Sequence, residues 1–290
     1  MDKFEPAKVF KKRNTICVQG ELWDLSHPKV MGILNITPDS FFDGGKYQHR
    51  DAIIKRCDQI LEEEGDIIDI GAYSSRPGAD HVTEQEELNR LNDVLSWIRE
   101  AYPHVILSVD TFRASVAETC VRDFNVDIIN DISGGMMDEL MFKTIAELNV
   151  PYIMMHMKGT PQNMQMNPTY DNLMKEISLF FSRQLDKLTA VGACDVILDP
   201  GFGFGKTLDH NYQLMNHLEL LDLFKLPILV GVSRKSMIYK LLEIESGAAL
   251  NGTTVLNTIA LSKGTNFLRV HDVKEAVECV KLVSQLQKTE

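Results

Sequence analysis

Hydrogen-bonding and charged residues stand at the ends of short apolar runs throughout this chain. In order they are Asn35, the stretch Gly71-Ala72-Tyr73-Ser74-Ser75-Arg76-Pro77-Gly78, Asp110, Asn130-Asp131, His156, Asp199, Ser233-Arg234-Lys235-Ser236 and Arg269-Val270-His271. Polar groups that converge in one pocket are unfavourable unless they bond one another or a ligand. Each has an ordinary alternative. Asp110, in SVDT before a helical pattern, has the composition of an N-cap, and Asn130, in NDISGG, that of a turn residue. Taken together they describe a pocket better than a set of unrelated turns. Two acids and an amide beside Lys235 suit a planar heterocycle with a guanidine-like edge, because a carboxylate accepts two parallel N–H bonds from such an edge. Arg269 and His271 share one side of a strand end by the period of two, and paired cationic donors there suit a phosphate.

These groups need elements to hold them. Val30–Gly45, VMGILNITPDSFFDGG, opens as an apolar run too short for a helix, ends in Asn35, and continues into a loop with two carboxylates, two hydroxyls and two adjacent aromatics. The same order of strand, polar tip and loop recurs. Strands are predicted over 33–35, 67–71, 106–110, 128–130, 152–156, 196–199, 228–232 and 267–270. Between them lie helical patterns, such as Ile53, Ile54, Cys57, Ile60 and Leu61, or Leu88, Leu91, Val94, Leu95 and Ile98 behind a capping box at Thr83–Glu86. Further helices are predicted over 112–124, 138–148, 171–191, 210–224, from 235 through 243 towards 261, and 273–287. Eight strand–helix units without a composition break predict a single (β/α)8 TIM barrel, an α/β fold, in preference to a doubly wound sheet. Residues 1–29 read as an N-terminal extension, with a hairpin at Thr15–Leu25 capping the closed end, and 30–290 as the barrel. In such a barrel the strand C-termini carry the chemistry, and the loops after the last two strands are the usual phosphate site.

The bulk composition narrows the function. The chain has 290 residues, 44% hydrophobic, with 30 basic against 41 acidic residues and a net charge of −11. That balance argues against nucleic-acid or anionic-membrane partners. Five cysteines form no CxxC, and Cys57 and Cys120 fall on apolar helix positions. No run approaches a membrane span, so a cytoplasmic, reducing compartment is expected. Two apparent motifs carry no chemistry. Gly201–Thr207 resembles a nucleotide P-loop, but Pro200 stands where GxxxxGK[ST] requires glycine. His156 lies among five methionines between 154 and 166 without a partner at metal-ligand spacing, which predicts a packed or loop-supporting ring.

A heterocycle with a guanidine-like edge fits a pterin, and at this point the motifs match a known family. GILNITPDSFFDGG, SSRPGA, SVDT, NDISGG, MMHM, LDPGFGFGK, GVSRKSMI and RVHDV stand in one order over nearly the whole chain, which resembles the dihydropteroate synthases. The resemblance implies a homodimeric barrel enzyme of folate synthesis. It would condense 6-hydroxymethyl-7,8-dihydropterin diphosphate with p-aminobenzoate, by loss of diphosphate and attack of the aniline nitrogen on a pterin methylene cation. It implies that Asp110, Asn130, Asp199 and Lys235 hold the pterin, with Met155, Phe204 and Gly231 around it. Asn35 would ligate Mg2+, and Asn35, Ser75, Arg269 and His271 would meet the diphosphate. Thr37, Pro38, Asp39, Phe41, Ser75, Arg76, Pro77, Phe204, Lys235 and Ser236 would surround p-aminobenzoate. Asp110, Lys235, Arg269 and His271 are the expected catalytic residues. Where many relatives read GGESTRPGA, this chain has Ala72, Tyr73 and Ser75 in place of Gly, Glu and Thr, and Ser75 keeps a hydroxyl. The competing readings are a methyltetrahydrofolate:corrinoid methyltransferase-like barrel, which would not need Lys235-Ser236 or the Arg269–His271 pair, and a non-catalytic pterin-binding paralogue.

Overall fold

The structure, a computed structural model, describes residues 14–36, 46–73, 82–164 and 166–289. Thr15–Val18 (β1) and Glu21–Asp24 (β2) pair antiparallel, with Thr15 opposite Asp24. Gln19 and Gly20 turn the hairpin at φ 52° and 79°, the positive values a two-residue turn between twisted strands requires. The parallel strands follow: Lys29–Asn35 (β3), Ile67–Gly71 (β4), Leu107–Asp110 (β5), Ile128–Asp131 (β6), Tyr152–Met155 (β7), Val196–Asp199 (β8), Leu229–Val230 (β9) and Phe267–Val270 (β10). The helices between and after them are Lys46–Glu62 (α1), Glu84–Ala101 (α2), Ala114–Phe124 (α3), Met141–Leu148 (α4), Leu173–Ala190 (α5), Leu208–Asn216 (α6), Ser236–Leu242 (α7), Leu250–Ser262 (α8) and Val273–Gln287 (α9). The sheet runs β8-β7-β6-β5-β4-β3-β10-β9. A parallel bridge between Leu198 and Ile228, and a 2.9 Å hydrogen bond from the Leu198 N–H to the Pro227 carbonyl, join its two ends. This is the predicted (β/α)8 barrel.

The two-residue period of the strands divides their side chains between two cores. Outward residues, among them Leu34, Ile70, Val109, Ile129, Met154, Leu198 and Val270, pack with the apolar faces of the helices. Inward residues Met31, Ile67, Ile128, Ile153, Ile197, Leu229 and Phe267 fill the barrel near the strand N-termini, and Ile16, Val18 and Leu25 of the hairpin region close that layer from below. Asn266 fastens the plug: its Nδ2 donates to the Leu25 carbonyl at 3.2 Å and its Oδ1 accepts the Ile228 N–H at 3.1 Å. The interior of the closed end is thus filled with hydrocarbon, and the inward-facing charged groups lie towards the other rim.

Local chemistry sets the helix ends. Thr83 accepts the Glu86 N–H, and the Glu86 carboxylate accepts the Thr83 N–H at 3.0 Å, so the capping box forms as expected. Thr207 and His210 make the same reciprocal pair, which starts α6 two residues before the predicted position 210. The helix expected through 224 stops at Asn216, and Leu218–Phe224 is a 3-10 segment. The helix expected from 235 towards 261 is likewise two helices. Glu243 closes α7 in the left-handed region at φ 53°, and Ser246–Ala248 forms a 3-10 turn before α8. Among the described residues no helix is long and apolar enough to cross a membrane and no disulfide forms, and Cys57 and Cys120 are buried.

Ile16 is 1% exposed beneath the barrel. Truncation by Ile16→Ala removes methylenes from a filled layer and is expected to lower stability by about 2–4 kcal/mol in urea unfolding. A loss below about 0.5 kcal/mol would mean that the hairpin only lies against the barrel and does not complete its core.

Candidate active site

Further towards the strand C-termini, the same inward parity yields Asn35, Asp69, Asp110, Asn130, Met155, Asp199, Gly231 and Arg269. Arg269 links three strands. Its Nε donates to Asp69 Oδ2 at 2.6 Å and its Nη2 to Asp110 Oδ2 at 3.3 Å. Asp69 is fully buried, and Asn130 Nδ2 stands 3.5 Å from both of its oxygens, too far for a strong bond. Burial pushes the Asp110 carboxyl up to about 7 against the pull of Arg269, with Asp69 adding to the rise. Asp110 does not cap a helix: Arg113 occupies the N-cap of α3, and the carboxylate of Asp138 takes the Ala114 N–H at 2.8 Å. Nor does Asn130 close the turn after β6. Asp131 does, accepting the Ser133 and Gly135 N–H groups at 2.7 and 2.8 Å and the Tyr152 hydroxyl at 2.6 Å.

Lys235 comes over the opposite side of the mouth. Its Nζ donates to the Phe202 carbonyl at 2.5 Å and lies 4.8 Å from the centre of the Phe204 ring. A Cβ on Gly231 would stand 3.9 Å from that Nζ and 3.7 Å from Arg269 Cβ, so glycine keeps the floor between the two cations free of a side chain. Burial lowers the Lys235 ammonium to about 8, with Asp199 opposing the fall. Burial in turn raises the Asp199 carboxyl, with Lys235 opposing. Asp199 Oδ1 accepts the Gly201 N–H at 2.7 Å, which aims the carboxylate at the start of the glycine-rich turn. Met155 and Phe204 belong to one apolar cluster with Tyr73, Phe112 and Ile132 above the polar ring.

The P-loop-like turn has a structural use. Gly201 sits at φ 70°, and a Cβ there would come within 2.0 Å of the His156 carbonyl oxygen. Buried Lys206 ties the turn together, its Nζ bonding the Gly201 and Phe204 carbonyls at 2.9 and 3.1 Å and standing 3.0 Å from His156 Nδ1. His156 is 4% exposed and packs edge-on against Phe180, the loop-supporting ring expected.

His271 differs from expectation in its charge. Burial, together with the Arg269 guanidinium, lowers the ring to about 4, so it is a neutral donor–acceptor and not a second cation beside Arg269. Its Nδ1 is 3.0 Å from Ser233 Oγ. Asp272 stands at the N-cap of α9 without a side-chain capping bond, because Arg234 takes its carboxylate with two bonds of 2.9 and 2.6 Å. Asn35 ends β3 half-buried, with Oδ1 within 3.4 Å of a Cβ built on Gly71 and Asp110 nearby. Ser236 opens α7 directly after Lys235. Thr37, Pro38, Asp39, Phe41, Ser75, Arg76 and Pro77 lie outside the described residues. Asp69 was not singled out from the sequence, although a lone acid inside IIDIG on the inward parity marks it.

Comparison with known proteins agrees over the same span. The family described as pterin binding enzyme matches residues 31–271. A dihydropteroate synthase of Escherichia coli K12 is 41% identical over 267 residues, covering 91% of this chain and 94% of the relative. The crystal structure of the Yersinia pestis dihydropteroate synthase with a sulfonamide drug complex superposes with a TM-score of 0.87 at 41% identity, over 95% of this chain and 100% of that one. The Xanthomonas albilineans dihydropteroate synthase with 4-aminobenzoic acid gives a TM-score of 0.86 at 33% identity, over 94% of this chain and 98% of that one.

Two measurements test the electrostatics of the mouth. A double-mutant cycle of Asp69→Ala with Arg269→Met is expected to show a coupling of about 1–3 kcal/mol in stability, and a coupling near zero would contradict the buried pairing. For His271, the folded value of about 4 lies below the ordinary 6.5. Between those values the unfolded chain holds the extra proton, so this ring makes stability rise with pH across that window. Replacement by His271→Gln should flatten the rise, and an unchanged slope would place the ring in water.

Proposed function

The chain belongs to the pterin-binding enzyme family, among its dihydropteroate synthases, and from that premise we propose how its residues divide the work. The reaction joins 6-hydroxymethyl-7,8-dihydropterin diphosphate and p-aminobenzoate into 7,8-dihydropteroate and diphosphate. The observation that carries the assignment is the ring of inward groups at one rim, Asp110, Asn130, Asp199 and Arg269, with Lys235 reaching in across Gly231. The guanidine-like edge of the pterin donates to Asp199 and Asn130, and the added donors draw the Asp199 carboxyl back towards its charged form. Lys235 donates to the ring from the other side, while Met155 and Phe204 lie along its faces and Gly231 leaves it room.

The diphosphate takes Arg269, His271, Ser75 and Asn35. The half-buried amide oxygen of Asn35 at the mouth would hold Mg2+, a cation that takes oxygen ligands. When bound, Mg2+ supplies positive charge to the departing diphosphate. Electron density from the dihydropterin ring expels the diphosphate and leaves a cation at the exocyclic methylene. Asp110 stabilises that cation in a site of low dielectric, and Arg269 faces the anion that leaves. The aniline nitrogen is nucleophilic when neutral and needs no dedicated base. Phe204, Lys235 and Ser236, with Thr37, Pro38, Asp39, Phe41, Ser75, Arg76 and Pro77 from the two loops, hold p-aminobenzoate in line. The complex of the Xanthomonas relative with 4-aminobenzoic acid supports that second substrate. A cytoplasmic homodimer completes the reading, and cysteines that form no disulfide among the described residues are compatible with a reducing compartment.

The test is to follow diphosphate and dihydropteroate together in Mg2+ buffer. Equal amounts are expected, and diphosphate without product would break the assignment of the p-aminobenzoate residues. The Asp110→Asn variant should lose about 10²–10³ in kcat while pterin affinity changes far less. Unchanged turnover in that variant would remove the charge-stabilising role.

A further inference from the structure

Two consecutive residues after β9 face two consecutive residues after β10. Ser233, 5% exposed, places its Oγ 3.0 Å from His271 Nδ1, and the same oxygen accepts the His271 backbone N–H at 3.1 Å. Beside it Arg234 holds Asp272 with two bonds. Arg234 sits at φ 53°, in the left-handed region that a side chain disfavours, and is kept there from several directions. Its N–H donates to Thr253 Oγ1 at 3.0 Å and its carbonyl accepts Ser246 Oγ at 3.1 Å. Arg56, from α1, donates to the His271 carbonyl at 2.6 Å. Both sides of the Ser233–His271 contact are therefore pinned by bonds that do not involve the ring.

The hydroxyl has one proton and two lone pairs. One lone pair takes the His271 N–H. Among the described residues Ser233 Oγ has no acceptor other than His271 Nδ1. If Nδ1 carried the ring proton, two N–H groups would converge on Oγ and the serine's own proton would be buried without a partner. That penalty disfavours the arrangement by roughly tenfold or more in population. The arrangement in which Oγ–H donates to Nδ1 satisfies every atom and leaves the ring proton on Nε2. The ring is also neutral. Burial disfavours its charged form, the guanidinium groups of Arg269, Arg234 and Arg56 add to this, and the carboxylate of Asp272, which opposes them, is engaged by Arg234. Among the described residues Nε2 makes no hydrogen bond.

We propose that Ser233 is a positioning residue that fixes His271 as the Nε2–H tautomer, so that the ring presents a hydrogen-bond donor to a diphosphate oxygen. The last clause rests on the diphosphate role given to His271 above. A neutral ring with the proton on Nδ1 would turn a lone pair towards the anion, and burial together with the surrounding arginines disfavours a second proton on the ring.

The experiment is a two-bond 1H–15N correlation spectrum of the unliganded full-length protein with 15N-labelled histidine at pH 7, with His271 assigned by His271→Gln. The expected spectrum has an unprotonated Nδ1 and a protonated Nε2. The Ser233→Ala variant should move both nitrogens towards the averaged shifts of freely exchanging tautomers and raise KM for dihydropterin diphosphate about tenfold, with kcat changed less than about threefold. The Ser233→Thr variant, which keeps the hydroxyl, should restore the spectrum and KM. A protonated Nδ1 in the unsubstituted protein overturns the proposal and does not depend on any variant folding. An unchanged Ser233→Ala spectrum overturns it as well. Addition of inorganic diphosphate with Mg2+ separates the two claims. If the tautomer follows Ser233 but the His271 Nε2 shift ignores diphosphate, the tautomer assignment holds and the diphosphate role fails.

Discussion

The Arg269 guanidinium between Asp69 and Asp110 is the interaction on which the rest of the mouth depends. It joins β4, β5 and β10, with Asp69 fully buried and the side chains of Arg269 and Asp110 only 20% and 17% exposed. A buried carboxylate without a partner costs several kcal/mol, and Asp69, fully buried, has Arg269 as its cation. Arg269 in turn leaves Asp110 with one oxygen in the ion pair and burial that still pushes it towards protonation. Asp110 is therefore poised between its two forms. A second balance stands across Gly231, where Asp199 and Lys235 shift each other in the same manner. The negative net charge of the chain has no bearing on either, because both balances are settled locally, inside the barrel.

The two rims divide stability from chemistry. At the strand N-termini, Phe267, Met31 and the hairpin residue Ile16 make a dry layer that no ligand enters. At the C-termini the same strand faces end in groups that can be satisfied only by one another or by a ligand. What holds these groups is a second layer of contacts to backbone: Lys206 to the carbonyls of the Gly201–Phe204 turn, Arg56 to the His271 carbonyl, and Arg234 to Asp272. These contacts lock backbone and leave the reacting faces open.

Much of this was legible in the sequence because the barrel imposes a parity. Apolar runs such as ILV and VILD locate the strands, and once a strand is located its last inward residue is fixed, which is why Asp110, Asn130, Asp199 and Arg269 were singled out. Asp69 was missed because it lies inside the run IIDIG and looks like a defect in a strand; only its partner, two hundred residues away in the chain, explains it. The charge of His271 was misjudged for a related reason. Type and spacing suggested a cation, but burial and the neighbouring Arg269 guanidinium hold the ring neutral, with smaller contributions from Arg234 and Arg56 on other elements. The break at Glu243 was hidden because the residues on both sides of it, Leu242 and Leu250 among them, continue a helical composition, and one left-handed residue leaves little trace in composition.

The account's central claim is that diphosphate departs first, leaving a pterin cation that Asp110 holds until the amine arrives. Positional isotope exchange tests it most directly, with 18O placed in the oxygen that bridges the pterin methylene to phosphorus, Mg2+ present and p-aminobenzoate absent. The account predicts that the label scrambles among the oxygens of that phosphoryl group while the substrate stays bound, as the carbon–oxygen bond breaks and re-forms. A label that stays in the bridge while product forms normally once p-aminobenzoate is added would mean direct displacement, and would contradict the account.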